Sequence, residues 1–337
     1  MQKDTRLAFN QWLSRLSALS GVPSANEVFA VAPSVQQTLE TKMQESSEFL
    51  SSINIIGVKE LKGEKLGLGV SGPIASRTNT DVADRSPRSV ETLDNQGYEC
   101  AQTNYDTYIK YATLDAWAKF PDFQTRVRDV IIKRQALDRV LIGFNGESIA
   151  VTTDLAANPK LQDVNIGWLK HIKTDAPSRV MDHGAVAGKV TVGAGAGADY
   201  KNLDALVFDA TKTLLDPWYR DDGGLVAIVG RDLMHDKLFP LVNDPTAPTE
   251  ILAADIVRSQ RRLGSLPGIT VPYFPANKVL ITRLDNLSIY WQESARRRNV
   301  MDNPKRNRIE NYESSNDAFV IEDYGLTALV ENIEVQD

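Results

Sequence analysis

The sequence predicts an α+β fold. Amphipathic stretches with helical spacing alternate with short runs of β-branched and aromatic residues, without the even rhythm of a doubly wound parallel sheet. The 337 residues are 42% hydrophobic and 24% charged, which suffices to bury a core in two domains or in one large domain with insertions. The sequence has no internal repeat, which argues against a solenoid or a propeller.

Charge and cysteine content narrow the class of protein. A formal net charge of −6 disfavours nucleic-acid binding through bulk electrostatics, and the small basic clusters at 261–262 and 296–298 are interpreted as solvated or subunit-contacting patches. The single cysteine, Cys100, cannot form an intrachain disulfide and fits a reducing compartment. No apolar run approaches the roughly 20 residues that span a bilayer. Residues 1–21 alternate polar and apolar positions, so we expect no signal peptide.

Two helices are predicted near the N-terminus. Residues 5–20 carry apolar side chains at helical spacing and are followed by Gly21, Pro23 and Pro33. This isolation favours a detachable arm that binds a partner over a helix of the main core. Residues 34–52 repeat the helical pattern.

A projecting hairpin is predicted next. Strand-like pieces rich in Ile, Val and Gly cover 54–78, and the polar stretch 79–97 follows. The apolar content is too low for this segment to bury itself, so the hairpin has to pack on another surface. Residues 98–111 then predict a strand.

The strongest helical signal in the chain covers 122–142. Its apolar stripe includes Phe123, Val127 and Val130, and the helix is expected to stop before Gly143. About 20 residues at 1.5 Å each make a rod of roughly 30 Å. The opposite face is densely charged, and we expect it to meet solvent or a neighbouring subunit.

The second half of the chain carries shorter signals. Residues 145–200 are interpreted as rich in loops. The remaining predicted elements are helices at 202–215 and 231–239 and strands at 225–229, 279–283, 287–292, 318–322 and 327–335.

Two glycine-rich motifs are compatible with nucleotide binding. Gly67–Gly72 forms G-x-G-x-x-G, but Pro73 and a polar stretch follow where a helix N-terminus has to receive the pyrophosphate. Gly193–Ala198 forms G-x-G-x-x-A before the predicted helix 202–215, so a nucleotide-dependent oxidoreductase that uses this loop is the alternative function. A flexible loop is favoured, because the motif lacks both a preceding buried strand and an acidic residue after the second strand.

Other chemical motifs are missing from the sequence. His171, His183 and His235 lie far apart and have no metal-ligand spacing with one another or with Cys100. The sequence has neither a nucleophile elbow nor a phosphate-binding loop with its lysine. We therefore predict no catalytic residue, no metal and no cofactor.

Ten short segments resemble the major capsid proteins of P2-like tailed bacteriophages. The segments are 43–50, 63–70, 133–138, 143–146, 161–164, 217–219, 229–233, 271–276, 286–290 and 310–314. Their order and their coverage of nearly the whole chain make the resemblance specific.

The resemblance implies the Hong Kong 97-type capsid fold and a division of the chain into the parts of that fold. These parts are an N-terminal segment (1–29), an N-arm (30–52), an extended loop over a neighbouring subunit (53–97), a peripheral domain (98–199) with a spine helix at about 122–142, an axial domain around capsomer centres (200–295) and a return to the peripheral domain (296–337).

The resemblance also implies a structural protein and not an enzyme. Copies of the chain form hexamers and pentamers that close into the icosahedral head of a phage, around double-stranded DNA that is contacted only non-specifically. The implied partners are other copies of the chain, a scaffolding protein, a maturation protease and a portal protein, with no membrane. Assembly is expected in the host cytoplasm, and the final location is the virion.

The same resemblance implies a cleavage position. The protease would cut near Phe29 and Ala30, which removes the first segment. From their charge and position we expect as candidate subunit contacts Lys65 in the hairpin, Arg134 on the spine helix, and Arg297 with Arg298. A cellular nanocompartment built on the same fold is a third hypothesis.

Overall fold

The structure is a computed structural model that describes residues 1–20, 22–65, 75–82, 84–87, 97–117, 123–195, 197–242 and 262–336. Within these ranges the fold is α+β, as predicted. The helices are α1 (Lys3–Ser20), α2 (Pro33–Glu45), α3 (Glu48–Ser52), α4 (Tyr111–Trp117), α5 (Phe123–Asn145), α6 (Trp168–Asp175), α7 (Leu203–Leu214) and α8 (Arg231–Val242). None of these helices is both long and apolar enough to cross a membrane.

The strands belong to two larger sheets and two short pairs. In chain order they are β1 (Phe29–Ala30), β2 (Asn54–Val58), β3 (Lys62–Glu64), β4 (Gly97–Glu99), β5 (Ala101–Asn104), β6 (Thr107–Lys110), β7 (Val180–Met181), β8 (Val190–Gly193), β9 (Val226–Val229), β10 (Arg262–Leu263), β11 (Leu266–Ile269), β12 (Val279–Thr282), β13 (Leu287–Gln292), β14 (Arg297–Asn303), β15 (Arg308–Ile321), β16 (Ala328–Val330) and β17 (Ile333–Gln336).

A seven-stranded sheet is organised around the 14-residue strand β15. Its order is β1-β14-β15-β13-β2, and β5 and β6 also pair with β15. All pairs are antiparallel except β2 with β13. Because side chains alternate across a strand, β15 points Glu313, Ser315 and Asp317 towards the interior.

A six-stranded sheet forms the second body, in the order β10-β11-β9-β12-β16-β7. Helix α7 packs its apolar face on this sheet in a core that includes Leu206, Val207 and Ile281. The helix begins where the Asn202 side chain accepts a hydrogen bond from the Ala205 amide at 2.8 Å. The remaining strands form the pairs β8 with β17 and β3 with β4.

Helix α5 is the long helix that the sequence predicts, and it packs in a core shared by both sheets. The indole ring of Trp168 lies against Gly143, where an added Cβ would stand 2.3 Å from the ring. The buried stripe of α5 differs from the predicted one: Val130 is 62% exposed, whereas Ala136 and Val140 are buried. Val130 thus lies on the exposed face of α5, whereas Val127 is buried as predicted.

Other elements differ from their predictions for local reasons. Residues 34–52 form two helices, because α2 ends at Glu45 with Ser46 as its C-cap, and the Ser47 side chain caps α3. Residues 98–111 contain three short strands, and the expected loop region 145–200 contains α6.

Strand pairing also cuts across the expected domain boundaries. Strand β2 lies in the seven-stranded sheet and not in the hairpin, and β13 lies in the same sheet although 200–295 was assigned elsewhere. Strands β7 and β16, from outside 200–295, complete the six-stranded sheet. A sheet collects strands by hydrogen bonding in space, so ranges that are continuous in sequence do not describe it.

Candidate functional site

The root of the predicted hairpin is a separate two-stranded ribbon, and Tyr98 on it packs against Tyr290 of the large sheet. Strands β3 and β4 pair antiparallel, and Lys62 Nζ lies 2.7 Å from Glu99 Oε1 across them. Gly97 is required there, since an added Cβ would lie 2.4 Å from the Gly63 carbonyl oxygen. Beyond the root, residues 75–82 and 84–87 are almost all exposed. The parts of the expected loop at 66–74 and 88–96 lie outside the described residues.

Lys65 makes its contact within its own chain. Its ammonium group lies 4.1 Å from the centroid of the Tyr324 ring, a cation–π geometry. The Tyr324 hydroxyl donates to Asp175 Oδ2 at 2.7 Å, and His171 Nδ1 is 3.0 Å from the same oxygen. This contact supports the hairpin root, and a contact of Lys65 with a neighbouring subunit stays a prediction.

The expected cleavage position lies in a paired strand. Phe29 and Ala30 form β1 at the edge of the large sheet, where they pair with Arg298 and Arg297. The Phe29 side chain is buried in a small cluster with Ala25. A protease that binds an extended substrate would first have to separate β1 from β14.

A buried ion network fixes helix α2 to the centre of the molecule. Glu40 accepts a hydrogen bond from Arg296 Nη1 at 2.8 Å and also pairs with Arg139 of α5. Arg139 donates to Asp317 of β15 at 3.0 and 3.2 Å. Arg296 donates to Glu313 Oε1 through Nε at 2.7 Å. Two arginines and three carboxylates from α2, α5 and the large sheet are thus enclosed together.

Neutral donors and acceptors complete this network. Gln135 accepts from Arg296 Nη2 at 2.9 Å and donates to Glu313 Oε2 at 3.1 Å. Burial alone would raise the pKa of Glu313, but Arg296 and Arg298 lower it to about 2. The carboxylate therefore stays charged in the interior.

The network corrects one interpretation of the sequence. Arg296 is 1% exposed and lies inside the protein, so the interpretation of 296–298 as a solvated patch is wrong at its first residue. Arg297 is exposed, and Arg298 is half-buried with its Nε donating to Asn311 Oδ1 at 3.0 Å. Neighbouring strand residues face opposite sides of a sheet, which separates these adjacent arginines.

Arg134 lies on the exposed face of α5, as expected for a surface contact. Its Nη2 is 2.5 Å from Asp138 Oδ1, one helical turn further on. Lys65, Arg134 and Arg297 do not form one site: they lie at the hairpin root, on the long helix and on β14 respectively.

The sequence analysis missed Glu40, Arg139 and Asp317. A signal for Arg139 was present, because it follows Ile132 by seven residues and Ala136 by three, which places it on the buried face of α5. A charged residue on such a stripe implies a buried partner. Nothing local in the sequence identifies that partner, since Asp317 is 178 positions away.

The glycine motif at 193–198 does not form a dinucleotide site. Gly193 ends β8, which pairs with β17, and helix α7 starts ten residues after Gly193, behind the capping Asn202. The Asp199 carboxylate accepts from the Ala185 amide, which together with further donors lowers its pKa to about 2. An anion here would repel a pyrophosphate, so the oxidoreductase alternative is not supported.

Histidines and acids show no metal-binding arrangement in the part of the chain that the structure describes. His171 pairs with Asp175, His183 with Asp182, and His235 lies near Asp236. Cys100 is buried beside the hairpin root, and burial raises the pKa of its thiol to about 12. A protonated, enclosed thiol is a poor nucleophile.

A hairpin ribbon, a long helix across a mixed sheet and a second sheet together form the Hong Kong 97-type capsid fold. The geometry of the capsid of a native GTA particle agrees, with a TM-score of 0.51 at 14% identity over 86% of this chain and 91% of that one. The chain belongs to the family described as phage major capsid protein, P2 family, which matches residues 8–333.

Individual relatives agree with this assignment. The chain is 50% identical to the capsid proteins of Escherichia phage P2, covering 100% of this chain and 96% of that one. It is 40% identical to the major capsid protein of Serratia phage KSP20, covering 99% and 97%. A satellite phage P4 procapsid that includes the size determination (Sid) protein matches with a TM-score of 0.83 and 48% identity, over 100% and 99% of the two chains. The chain is accordingly a structural protein of a phage capsid, where its copies assemble into a multi-subunit shell.

Proposed function

We propose that the chain assembles as hexamers and pentamers into an icosahedral head that encloses double-stranded DNA. The observation that carries this proposal is the hairpin, whose root is paired but whose described residues 75–82 and 84–87 are almost all exposed. A ribbon of this kind gains little stability alone and is stabilised by packing on a second surface. A neighbouring copy supplies that surface in a closed shell.

The parts of the chain take the roles of the family in this proposal. Residues 98–199 and 296–337 act as a peripheral domain and 200–295 as an axial domain, with the sheet boundaries described above. Residues 1–29 act before maturation and are removed by a protease near Phe29 and Ala30.

Further partners are proposed from the same family membership. They are a scaffolding protein, the maturation protease and a portal protein, with DNA contacted non-specifically and assembly in the host cytoplasm. The related P4 procapsid, which includes a size determination protein, supports contact with accessory proteins during assembly.

The hairpin tests the proposal directly. Residues 66–96 are replaced by a short Gly-Ser linker, and the variant is co-expressed with the scaffolding protein beside the unaltered chain. We expect folded subunits and no closed particles in electron micrographs, because the overlapping surface is gone. Closed particles of normal size from the variant would contradict the proposal.

Charge reversal tests the proposed subunit contacts. Arg297→Glu and Arg134→Glu change exposed side chains and should lower particle yield without changing the circular dichroism of the subunit. Lys160→Glu, at another exposed position, is the matched control and should leave the yield unchanged. Arg298→Glu is less informative, because Arg298 is half-buried and its bond to Asn311 lies inside the subunit.

A further inference from the structure

We infer that the chain has a mechanical boundary between Val31 and Pro33, with a releasable segment before it and a fixed body after it. Glu40 holds α2 to this body through its buried ion pairs. The biological setting of this inference rests on the proposed removal of residues 1–29, but its physical content concerns the isolated subunit. Accordingly α2, which was expected to be part of an arm, moves with the sheet and the long helix.

Helix α2 is held by charge. Glu40 is 1% exposed and provides a counterion to both Arg139 and Arg296, which are themselves buried. If α2 left its place, both guanidinium groups would lose an anion inside the protein. Removing one partner from a buried charge network is strongly destabilising, because the remaining charge is neither solvated nor paired.

A second anchor lies one turn earlier on the same helix. The fully buried side chain of Gln36 donates to the Gln292 carbonyl oxygen at 3.2 Å and accepts from the Ser294 amide at 3.1 Å. Both contacts are to the end of β13 and the turn after it. Helix α2 is therefore bonded to the sheet through side chains whose polar groups are satisfied.

Helix α1 is held differently, mainly by apolar contact. Phe9 is buried against Leu114, Val127 and Ile309. A small cavity remains under the helix, lined among others by Phe9, Trp12, Thr107 and Asn311. This docking buries apolar area but leaves the helix imperfectly packed on the sheet.

Two polar atoms at this cavity lack a hydrogen-bond partner among the described residues. They are Thr107 Oγ1 and Asn311 Nδ2, and Asn311 is 6% exposed. Arg298 Nε donates to the other amide atom, Asn311 Oδ1, which fixes the orientation of the amide. Covering unsatisfied polar atoms costs free energy, so their burial weakens the docking of α1.

The remaining polar contacts of the segment are single bonds. The Gln2 amide donates to Asp115 Oδ1 at 2.9 Å in an exposed position. The Ala25 and Asn26 carbonyls accept from the Val300 amide at 3.1 Å and from Asn299 Nδ2 at 3.0 Å. The ion pair between Arg6 and Asp302, at 2.5 Å, is partly solvated and so contributes little. Strand β1 pairs over two residues only. Val31 then bonds to the Arg296 carbonyl at 2.9 Å, directly beside the ion network, which places the boundary there.

Hydrogen exchange on soluble full-length subunits tests the boundary. We expect amides of α1 to exchange at least about tenfold faster than those of α2, and those of α2 to exchange together with β13 and β15. In E40Q, α2 should lose at least about tenfold protection while α1 is unchanged. E45Q, at an exposed position of the same helix, is the control and should alter neither helix. Common exchange of α1 and α2 in the unaltered chain would overturn the inference, as would full protection of α2 in E40Q.

A second variant acts on the other side of the boundary. T107V replaces the unpartnered hydroxyl with a methyl group of similar size, so α1 should exchange more slowly and α2 as before. Unchanged or faster exchange of α1 would count against the inference. Both exchange experiments are done on subunits that have not assembled. The shell proposal is tested instead by whether closed particles form, so the failure of one proposal can be told apart from the failure of the other.

Discussion

Arg139 of the long helix and Asp317 of the central strand form a two-point ion pair. Arg139 Nε lies 3.2 Å from Asp317 Oδ2, and Nη2 lies 3.0 Å from Oδ1. Ser315 Oγ at 3.0 Å and the Tyr105 hydroxyl at 3.3 Å also donate to Oδ2. The carboxylate is thus surrounded by donors in the interior, and the pair fixes the position of the helix across the sheet.

Asp317→Asn should destabilise the subunit by about 3 to 5 kcal/mol, because Arg139 then keeps only one buried counterion. The loss is measured by urea unfolding of soluble subunits, followed by tryptophan fluorescence. Asp129→Asn on the exposed face of the same helix removes a partner of Arg128 at 2.8 Å and should cost at most about 1 kcal/mol. If both variants lost the same free energy of unfolding, the buried ion pair would contribute no more to stability than the exposed one.

Acid should destabilise the subunit through Glu313. Its pKa is lowered from 4.5 to about 2 in the folded state, so its contribution to the free energy of unfolding is present above pH 4.5 and is lost as the pH falls from 4.5 towards 2. Thermal melting between pH 7 and pH 2.5 measures this loss. Glu313→Gln should melt lower at pH 7 and show a shallower dependence on pH across that window. If the melting temperature of Glu313→Gln depended on pH in the same way as that of the unaltered chain, Glu313 would not be the source of the acid destabilisation.

The elements that local patterns specify were predicted from the sequence. Helix α5 (Phe123–Asn145) follows from short-range spacing, although it continues past residue 142, where the sequence indicated its end. A hairpin was predicted over 53–97, but the pairing of β3 with β4 at its root was not. The family resemblance then supplied the fold, which local patterns alone do not reach. Short strands such as β14 were missed, because Arg297–Asn303 is polar and gains its structure from pairing with β15.

The ion network shows why the candidate site was less predictable than the fold. Adjacent arginines 296, 297 and 298 look alike in sequence, yet the first is buried and the second is exposed. Their environments depend on the face of the strand and on Glu40, which lies 256 positions away. Sequence separation of this size leaves no local signature of the pairing.

Gly143→Ala should destabilise the subunit by about 1 to 3 kcal/mol, because the new methyl group would meet the Trp168 ring, 2.3 Å from its nearest carbon. A helix normally gains stability from this substitution, so the expected loss reports packing alone. The free energy of unfolding in urea measures it. Gly223→Ala is the control, since an added Cβ there meets no atom within 4 Å. A Gly143→Ala variant as stable as the unaltered chain would show that Trp168 moves aside freely.

Cys100 should report on the integrity of the hairpin root. Burial, followed by the nearby Asp317 charge, raises the pKa of its thiol from 9.0 to about 12, so the thiolate at pH 8 is about a thousandfold scarcer than for an exposed cysteine. Its amide also donates to the Leu61 carbonyl at 2.8 Å, which joins the start of β5 to the start of the hairpin.

Iodoacetamide should therefore label Cys100 very slowly in folded subunits and rapidly in urea-unfolded ones, as followed by mass spectrometry. A Ser86→Cys variant on the Cys100→Ser background carries an exposed thiol and should react quickly when folded. Equal labelling rates for Cys100 in buffer and in urea would mean that the root opens freely in solution, and the hairpin would then not be held to the body before a neighbour binds it.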